Sequence, residues 1–273
     1  MTTLREVGEF GLLAELERRD LAQGIEHDAA VVDGLVVTQD ALLEGVHFRF
    51  DLLGWRELGV RAAAVNISDL AASAARPEAL LVSIGAPAAT PLEDVLELYG
   101  GIHEAGVAVR GGDTVEADRV FVTVSALGRA ERVPGRAGAR PGDVLVVTGP
   151  LGAAGAAFRS HRYVRPPLRV AEGIELGRDA TAMLDVSDGL AVDAGQIAAR
   201  SGCKLVVELE RVPLAPGAAT ADLEFGEDYE LLAATADPGR FAVIGRCEEG
   251  EGIEVLQERQ PVQLGGWSHF RPK

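Results

Sequence analysis

Six aspartates stand at the ends of apolar segments. They are Asp28 before AAVV, Asp40 after VVT, Asp69 within VNISDLAA, Asp113 in RGGDT, and Asp185 and Asp188 in LDVSDGL. Carboxylates at strand ends and glycine-rich turns can converge on a cleft while the backbone approaches a ligand. Hard cations such as Mg²⁺ take oxygen ligands of this kind, with waters and substrate phosphates completing the shell. Taken one at a time, each is equally an ordinary turn or cap aspartate. Their recurrence in both halves of the chain favours the metal reading.

Three neighbouring patterns bear on the same chemistry. Gly111-Gly112-Asp113-Thr114 combines permissive backbone, whose amides can face phosphate oxygens, with a carboxylate that can hold the metal; read alone it is a tight turn. Asn66 and Asp69 share one face of a helix, and the alanines around them let that helix sit close to a neighbour. The stretch GPLGAAGAA (149–157) follows a strand and opens a helix, a place for an anion. It lacks a phosphate-loop lysine, so close helix packing is the simpler reading. The histidines form no HxxxH pair, His103 reads as helix surface, and no G-x-S-x-G elbow supports a Ser-His-Asp hydrolase.

Composition narrows the partners. The 273 residues carry 42 acidic and 26 basic side chains, a formal net charge of −16. Such a surface repels nucleic acid and anionic membranes. Lysine occurs only at Lys204 and Lys273, which excludes a GxxxxGK loop and a kinase-type strand lysine. If phosphates are handled, divalent cations must carry much of the charge work. Two cysteines, Cys203 and Cys247, build neither a disulfide framework nor a thiolate metal site. With no apolar run of about 18 residues and no apolar signal core near Met1, a cytoplasmic protein is expected.

At about 150 residues per domain, two domains are expected. The spacing of Phe10, Leu13 and Leu16 predicts a helix over 7–23, and apolar runs at 29–32 and 35–38 predict a hairpin turning at Asp33-Gly34. Then come a helix over 56–75, a strand over 79–85, a helix over 91–105, and strands at 107–110 and 119–127 around the Gly-Gly-Asp turn. Residues 128–142, rich in Gly, Pro and Arg, mark the domain boundary. A second unit follows, with strands at 143–148, 204–209, 229–235, near 243 and at 253–256, a short strand into Asp185, and helices from Leu151, over 169–182, over 190–201 and near 237–242. Mixed strands and helices in both halves make the fold class α+β, two mixed α/β domains, divided as residues 1–134 and 135–273.

Taken in order, nine stretches resemble the aminoimidazole ribonucleotide synthetase superfamily and, within it, the thiamine-monophosphate kinases. They are GEFGLLAEL (8–16), DAAVV (28–32), TQDALLEGVHF (38–48), AVNISDLAASAARP (64–77), GGDT (111–114), GRAGARPGDVLVVTG (135–149), LDVSDGL (184–190), GEDYELL (226–232) and GWSHF (266–270). The resemblance implies an N-terminal domain that pairs its sheet in a homodimer and carries ATP and metal sites, and a C-terminal domain that completes them. It implies ATP-dependent phosphorylation of thiamine monophosphate to thiamine diphosphate, with several Mg²⁺ ions.

Carried over by position, Asp28, Thr38, Asp40, Asp69, Asp113, Asp185 and Asp188 are metal ligands, joined by the backbone carbonyl of Gln39. Asp113 and Asp188 are the catalytic carboxylates. Gly112, Asp113, Arg136 and Ser187 meet ATP, while His47, Glu227 and Trp267 line the thiamine site. Three departures bear on metal number and substrate-loop contacts: Glu26-His27-Asp28-Ala29 where the family reads GDDA, Gln39 where it reads Thr, and a contraction between Pro213 and Gly226. Two other classes stay open: a superfamily sibling with another acceptor, and a nucleotide-binding dimer without turnover.

Overall fold

The computed structural model describes residues 2–22 and 27–268. Glu26, and His269 and Phe270 of the GWSHF stretch, lie outside the described residues. Helix α1 (Leu4–Arg18) starts earlier than the spacing predicts, because Thr3 caps it: the Thr3 N–H donates to the Glu6 carboxylate at 2.8 Å. Strands β1 (Ala30–Val32) and β2 (Leu35–Leu43) form the expected hairpin. Both turn residues, Asp33 and Gly34, have positive φ (49° and 78°), the requirement of the tight turn whose twist matches the strands.

Helix α2 (Trp55–Ala72), strand β3 (Arg76–Ala86), helix α3 (Leu92–His103), and strands β4 (Val109–Glu116) and β5 (Phe121–Arg129) complete the first half. Its sheet runs β1-β2-β5-β3-β4. The expected Gly-Gly-Asp turn is not a turn: Gly111, Gly112 and Asp113 are the middle of β4, paired parallel with β3. Gly112 (φ 148°) is needed for close approach, since a Cβ there would fall 1.7 Å from the Val82 carbonyl oxygen.

The second half contains β6 (Val144–Val147), α4 (Ala153–Arg159), α5 (Val170–Leu176), β7 (Ala182–Asp185), α6 (Leu190–Ser201), β8 (Lys204–Glu208), two 3-10 turns, β9 (Leu231–Thr235), β10 (Ala242–Glu248), β11 (Gly252–Gln257) and β12 (Gln260–Val262). These strands make a sheet of order β12-β11-β8-β10-β6-β9-β7. Helix α5 stops at Leu176, short of the expected 182, because the chain must turn to enter β7. The helix expected near 237–242 is absent. Asp237 instead accepts from the Gly239 N–H at 2.9 Å, and Thr235 Oγ1 bonds both N–H and C=O of Asp237, local side-chain bonds that compete with a helix.

Helix α2 joins the halves. One side of it packs on the first sheet through Leu58, Ala62, Ala63, Ile67 and Leu70. Its C-terminal end packs on the second sheet, where Ala71 and Ala72 meet Val146, Met183, Leu231 and Ala233. The small residues are the reason it can do both: a Cβ on Gly173 of α5 would lie 2.1 Å from the Ala71 carbonyl oxygen. No described helix is long and apolar enough to cross a membrane.

Candidate active site

A cleft of about 920 Å³ lies between the two halves. Along α2, Arg61, Val65 and Asp69 line it at successive four-residue steps, a stripe about 12 Å long at 1.5 Å per residue. The two ends of that stripe are chemically unlike.

Asp69 marks the acidic end. Asp28 precedes β1, Asp40 lies on β2, and Asp185 ends β7. Asp28, Asp69 and Asp185 each offer a carboxylate oxygen within 4.8 Å of the others. Neighbours aim them. The Thr38 hydroxyl donates to Asp69 at 2.5 Å, and Ser68 donates to Asp185 at 2.5 Å. Asn66 accepts the Asp40 N–H at 3.0 Å while donating to the Ala62 carbonyl, so the shared helix face is buried and hydrogen-bonded rather than solvated. Arg136 donates twice to one oxygen of Asp28, at 2.9 and 2.5 Å. The other oxygen of Asp28 is buried and has no hydrogen-bond partner among the described residues.

Burial pushes all four carboxyls up, and their mutual repulsion adds to it at Asp40, Asp69 and Asp185. Asp185 reaches about 8, and at Asp28 the Arg136 guanidinium opposes the rise. Buried carboxylates crowded to this degree stay charged only beside compensating cations. Neighbouring oxygens of an octahedral Mg²⁺ shell with bonds of 2.0–2.1 Å lie about 3 Å apart, so the three clustered oxygens, within 4.8 Å of one another, need only draw together to share one ion. The donor set is all oxygen, as a hard cation requires. These residues fit a divalent cation.

The loop after β7 closes that end. Asp193 is buried, and one of its oxygens accepts the N–H groups of Ser187, Asp188 and Gly189 at 3.0, 3.0 and 3.1 Å. Ser187 and Asp188 line the cleft. Asp193 was missed because nothing in SDGLAVD distinguishes it from a first-turn acid. The glycine-rich α4 entrance resolves in favour of packing. Its N-terminal amides, Gly152 and Ala154, donate to Asp228 of this chain at 2.7 and 3.4 Å, so the anion there is internal.

Arg61 marks the other end. Buried itself, it forms an ion pair with the half-buried Glu227, while Tyr163, Tyr229, His47 and Trp267 also line this cleft. His47 Nδ1 accepts the Leu43 N–H at 3.0 Å. Trp267 is tied by its backbone, its N–H donating to the Asp188 carbonyl at 2.8 Å, while its side chain leaves the residue 47% exposed. Arg61 and Tyr163 escaped sequence reading because each meets Glu227 only through the fold, from a distant part of the chain.

Three expected residues do not join the cluster. Gln39 lines the cleft, but its side chain accepts from Ser125 at 2.7 Å on the opposite face of β2 from Thr38 and Asp40, which leaves its backbone for the site. Gly112 and Asp113 lie on β4, three strands from β2, about 14 Å at the usual strand spacing. Asp113 is exposed and accepts the Thr114 N–H at 2.8 Å.

Residues 26–130 match AIR synthase related protein, N-terminal domain, and residues 140–256 match AIR synthase related protein, C-terminal domain. Thiamine-monophosphate kinase of Aquifex aeolicus is 32% identical over 98% of this chain and 99% of its own length. The Mycobacterium tuberculosis enzyme of the same name is 33% identical over 98% of this chain and 93% of its own. Among solved structures, AaThiL complexed with AMPPCP and TMP superposes with a TM-score of 0.88 at 30% identity, covering 98% of this chain and 99% of that one. Hydrogenase maturation protein HypE of E. coli shares the fold alone, at TM-score 0.70 and 19% identity. By two domain matches and by identity along nearly its whole length, the chain belongs to the AIR synthase related family and, within it, to the thiamine-monophosphate kinases.

Proposed function

We propose that this protein transfers the γ-phosphoryl group of ATP to thiamine monophosphate, giving thiamine diphosphate, with Mg²⁺ held by Asp28, Asp40, Asp69, Asp185 and Asp188, the backbone of Gln39 and the Thr38 hydroxyl contributing. The observation that carries the reading is the buried aspartate cluster, in which one Asp28 oxygen has no partner among the described residues, at one end of a cleft whose other end is aromatic and internally charge-balanced.

The acceptor is a phosphate monoester with a second pKa near 6, so it is largely dianionic at neutral pH and needs no general base. The difficulty is repulsion between two anions. Bound Mg²⁺ supplies charge neutralisation at the phosphates. Arg136, beside Asp28, adds the protein's own positive charge there, and Gly112 and Ser187 contribute backbone contacts to the nucleotide. His47, Glu227 and Trp267 hold the organic part of the acceptor, with Trp267 facing the thiazolium cation. Transfer is direct and in line, with no phosphorylated enzyme.

A homodimer is part of this reading. Every residue of β4 is exposed, and Leu81, Val109 and Val115 present apolar side chains beside Asp113 along that edge. An exposed, apolar edge strand is a template for pairing with another sheet. A second copy paired there lies one strand farther from β2 in a flat sheet, so its Gly112 and Asp113 reach this cleft when the twisted, joined sheets curl closed; residues 1–134 are then both the metal-binding and the dimerisation domain and 135–273 the domain that completes the site. Mixed dimers of two separately inactive variants, Asp69→Asn and Asp113→Asn, then recover up to a quarter of wild-type activity. No recovery on mixing refutes the shared site.

The reaction itself is tested by ADP release with thiamine monophosphate, thiamine, or no acceptor, the product being identified by mass. Release with the monophosphate alone, giving thiamine diphosphate, is the expected result. Release with none of them would make this a nucleotide-binding protein without turnover.

A further inference from the structure

Three side chains from separate parts of the chain meet at the end of the cleft away from the aspartates. Arg61 comes from α2, Tyr163 from the segment after α4, and Glu227 from the loop before β9. Arg61 is 6% exposed, and its Nη2 donates to one oxygen of Glu227. Its Nε and the Tyr163 hydroxyl are both buried, and neither has a hydrogen-bond partner among the described residues. Native proteins seldom leave buried donors unmatched, and a ligand atom is a recognised reason for doing so.

The loop that presents Glu227 is held in a costly shape. Glu227 and Tyr229 both have positive φ, 59° and 51°, a region that non-glycine residues enter only when the surroundings enforce it. Here the enforcement is visible. The Glu227 N–H donates to the Ser187 carbonyl at 2.8 Å, and the Tyr229 N–H to the Val186 carbonyl at 2.9 Å. Glu227 is thus stitched to the loop that carries Asp185 and Asp188. The position of its carboxylate relative to the phosphate end of the cleft is fixed by backbone bonds.

The group therefore gathers two donors without partners among the described residues, Arg61 Nε–H and Tyr163 O–H, around the Glu227 carboxylate, one oxygen of which already accepts from Arg61 Nη2. A donor next to an acceptor complements an amidine edge, in which a ring nitrogen accepts and the adjoining amino group donates. A 4-aminopyrimidine has that edge. Its 4-oxo counterpart has the reverse, a ring N–H beside a carbonyl, and would set N–H against N–H and oxygen against carboxylate.

We infer that Arg61 and Tyr163, together with Glu227, read the amino-bearing pyrimidine edge of the acceptor and reject the 4-oxo form. This rests on the acceptor being thiamine monophosphate and names residues that set the choice of its pyrimidine. The tyrosines feel the same charges: burial first, and then Glu227, push the Tyr163 phenol up while Arg61 opposes the rise, so it stays a donor throughout the working pH range.

The test compares kcat/KM for thiamine monophosphate and for oxythiamine monophosphate in the wild type, Tyr163→Phe, Arg61→Lys and Arg61→Gln. Wild type should prefer the amino form by at least ~10²-fold, as sites built on buried hydrogen-bonding groups do. Tyr163→Phe should raise KM for thiamine monophosphate about 3–10-fold, with KM for ATP within about twofold, and lower the preference by the same factor. Arg61→Gln should lower it further, and Arg61→Lys should restore part of it. Arg61 is buried and ion-paired, so if its variants fail to fold, Tyr163→Phe decides alone. A preference unchanged within twofold in Tyr163→Phe, or equal weakening toward both acceptors and ATP, overturns the inference while leaving the kinase reading intact. A wild-type protein that does not phosphorylate thiamine monophosphate removes both.

Discussion

The two ends of the cleft handle buried charge in opposite ways. At one end Asp28, Asp40, Asp69 and Asp185 crowd together, and a single guanidinium, Arg136, offsets only part of their charge. At the other, Arg61 and Glu227 neutralise each other one to one. A matched pair can stay charged while largely dry, because each partner supplies what burial removes. An unmatched cluster cannot, and must take up protons or cations. The difference separates a part of the site whose charge is balanced within the folded chain from a part balanced by what binds there.

The largest expected effect follows from removing one charge at the unmatched end. Asp69→Asn should lower kcat at least ~10²-fold, equivalent to about 2.7 kcal/mol of transition-state stabilisation, while the fold persists because Asn keeps the Thr38 contact. Steady-state kinetics at saturating Mg²⁺ measure it. Full activity in this variant would remove the cluster from the mechanism.

A smaller and opposite signature should appear in stability. Burial raises the Asp28, Asp40, Asp69 and Asp185 carboxyls above their unfolded values, Asp185 to about 8. Between roughly pH 4 and 8 the folded chain therefore holds more protons than the unfolded one, so metal-free stability is highest at the acid end and falls as pH rises. Divalent ions bind the deprotonated carboxylates and should reverse the slope. Thermal melts in chelator should lose several °C from pH 5 to pH 8, Mg²⁺ should recover them, and Asp185→Asn should flatten the chelator curve. A metal-free melting temperature independent of pH contradicts the charge comparison.

The same contrast explains what was legible in the sequence. The acidic end was readable because its residues announce themselves locally: aspartates at the ends of apolar runs, with Asn66 and Asp69 one helical turn apart. The hairpin at Asp33-Gly34 and helices α2 and α6 were readable for the same reason, since turn chemistry and periodicity act over a few residues. The Arg61–Glu227 pair was not, because its members are 166 positions apart; Glu227 was reached through the GEDYELL resemblance, and Arg61 has no local signature. Gly112 misled because a glycine required for close strand approach has the same letter as one required for a turn. The stretch 237–242 misled because Thr235 and Asp237 bond their own backbone. Strand β12 went unseen because three residues carry too little pattern.

Trp267 gives the smallest effect and the finest discrimination between the two ends. It touches both, its backbone joined to Asp188 at the acidic end and its indole lining the cleft with the Arg61 group. Were the ring an anchor for the chain end, truncating it would loosen that segment, and both substrates would suffer. The anchoring bond, however, is made by the backbone N–H, which alanine retains, and the turn before it depends on Gly266, where a Cβ would lie 2.3 Å from Val192 and 2.7 Å from the Asp188 carbonyl oxygen. The backbone bond thus survives truncation of the ring, and the variant isolates what the indole itself does. A cation over an aromatic face gains roughly 0.5–2 kcal/mol, and thiamine monophosphate brings a thiazolium where ATP brings no cation. Trp267→Ala should accordingly raise KM for thiamine monophosphate about 3–30-fold, leave KM for ATP within about twofold, and leave the melting temperature nearly unchanged. A lower melting temperature with both KM values raised alike would make the indole part of the scaffold, and the aromatic end of the cleft would then owe its selectivity to Arg61, Tyr163 and Glu227 alone.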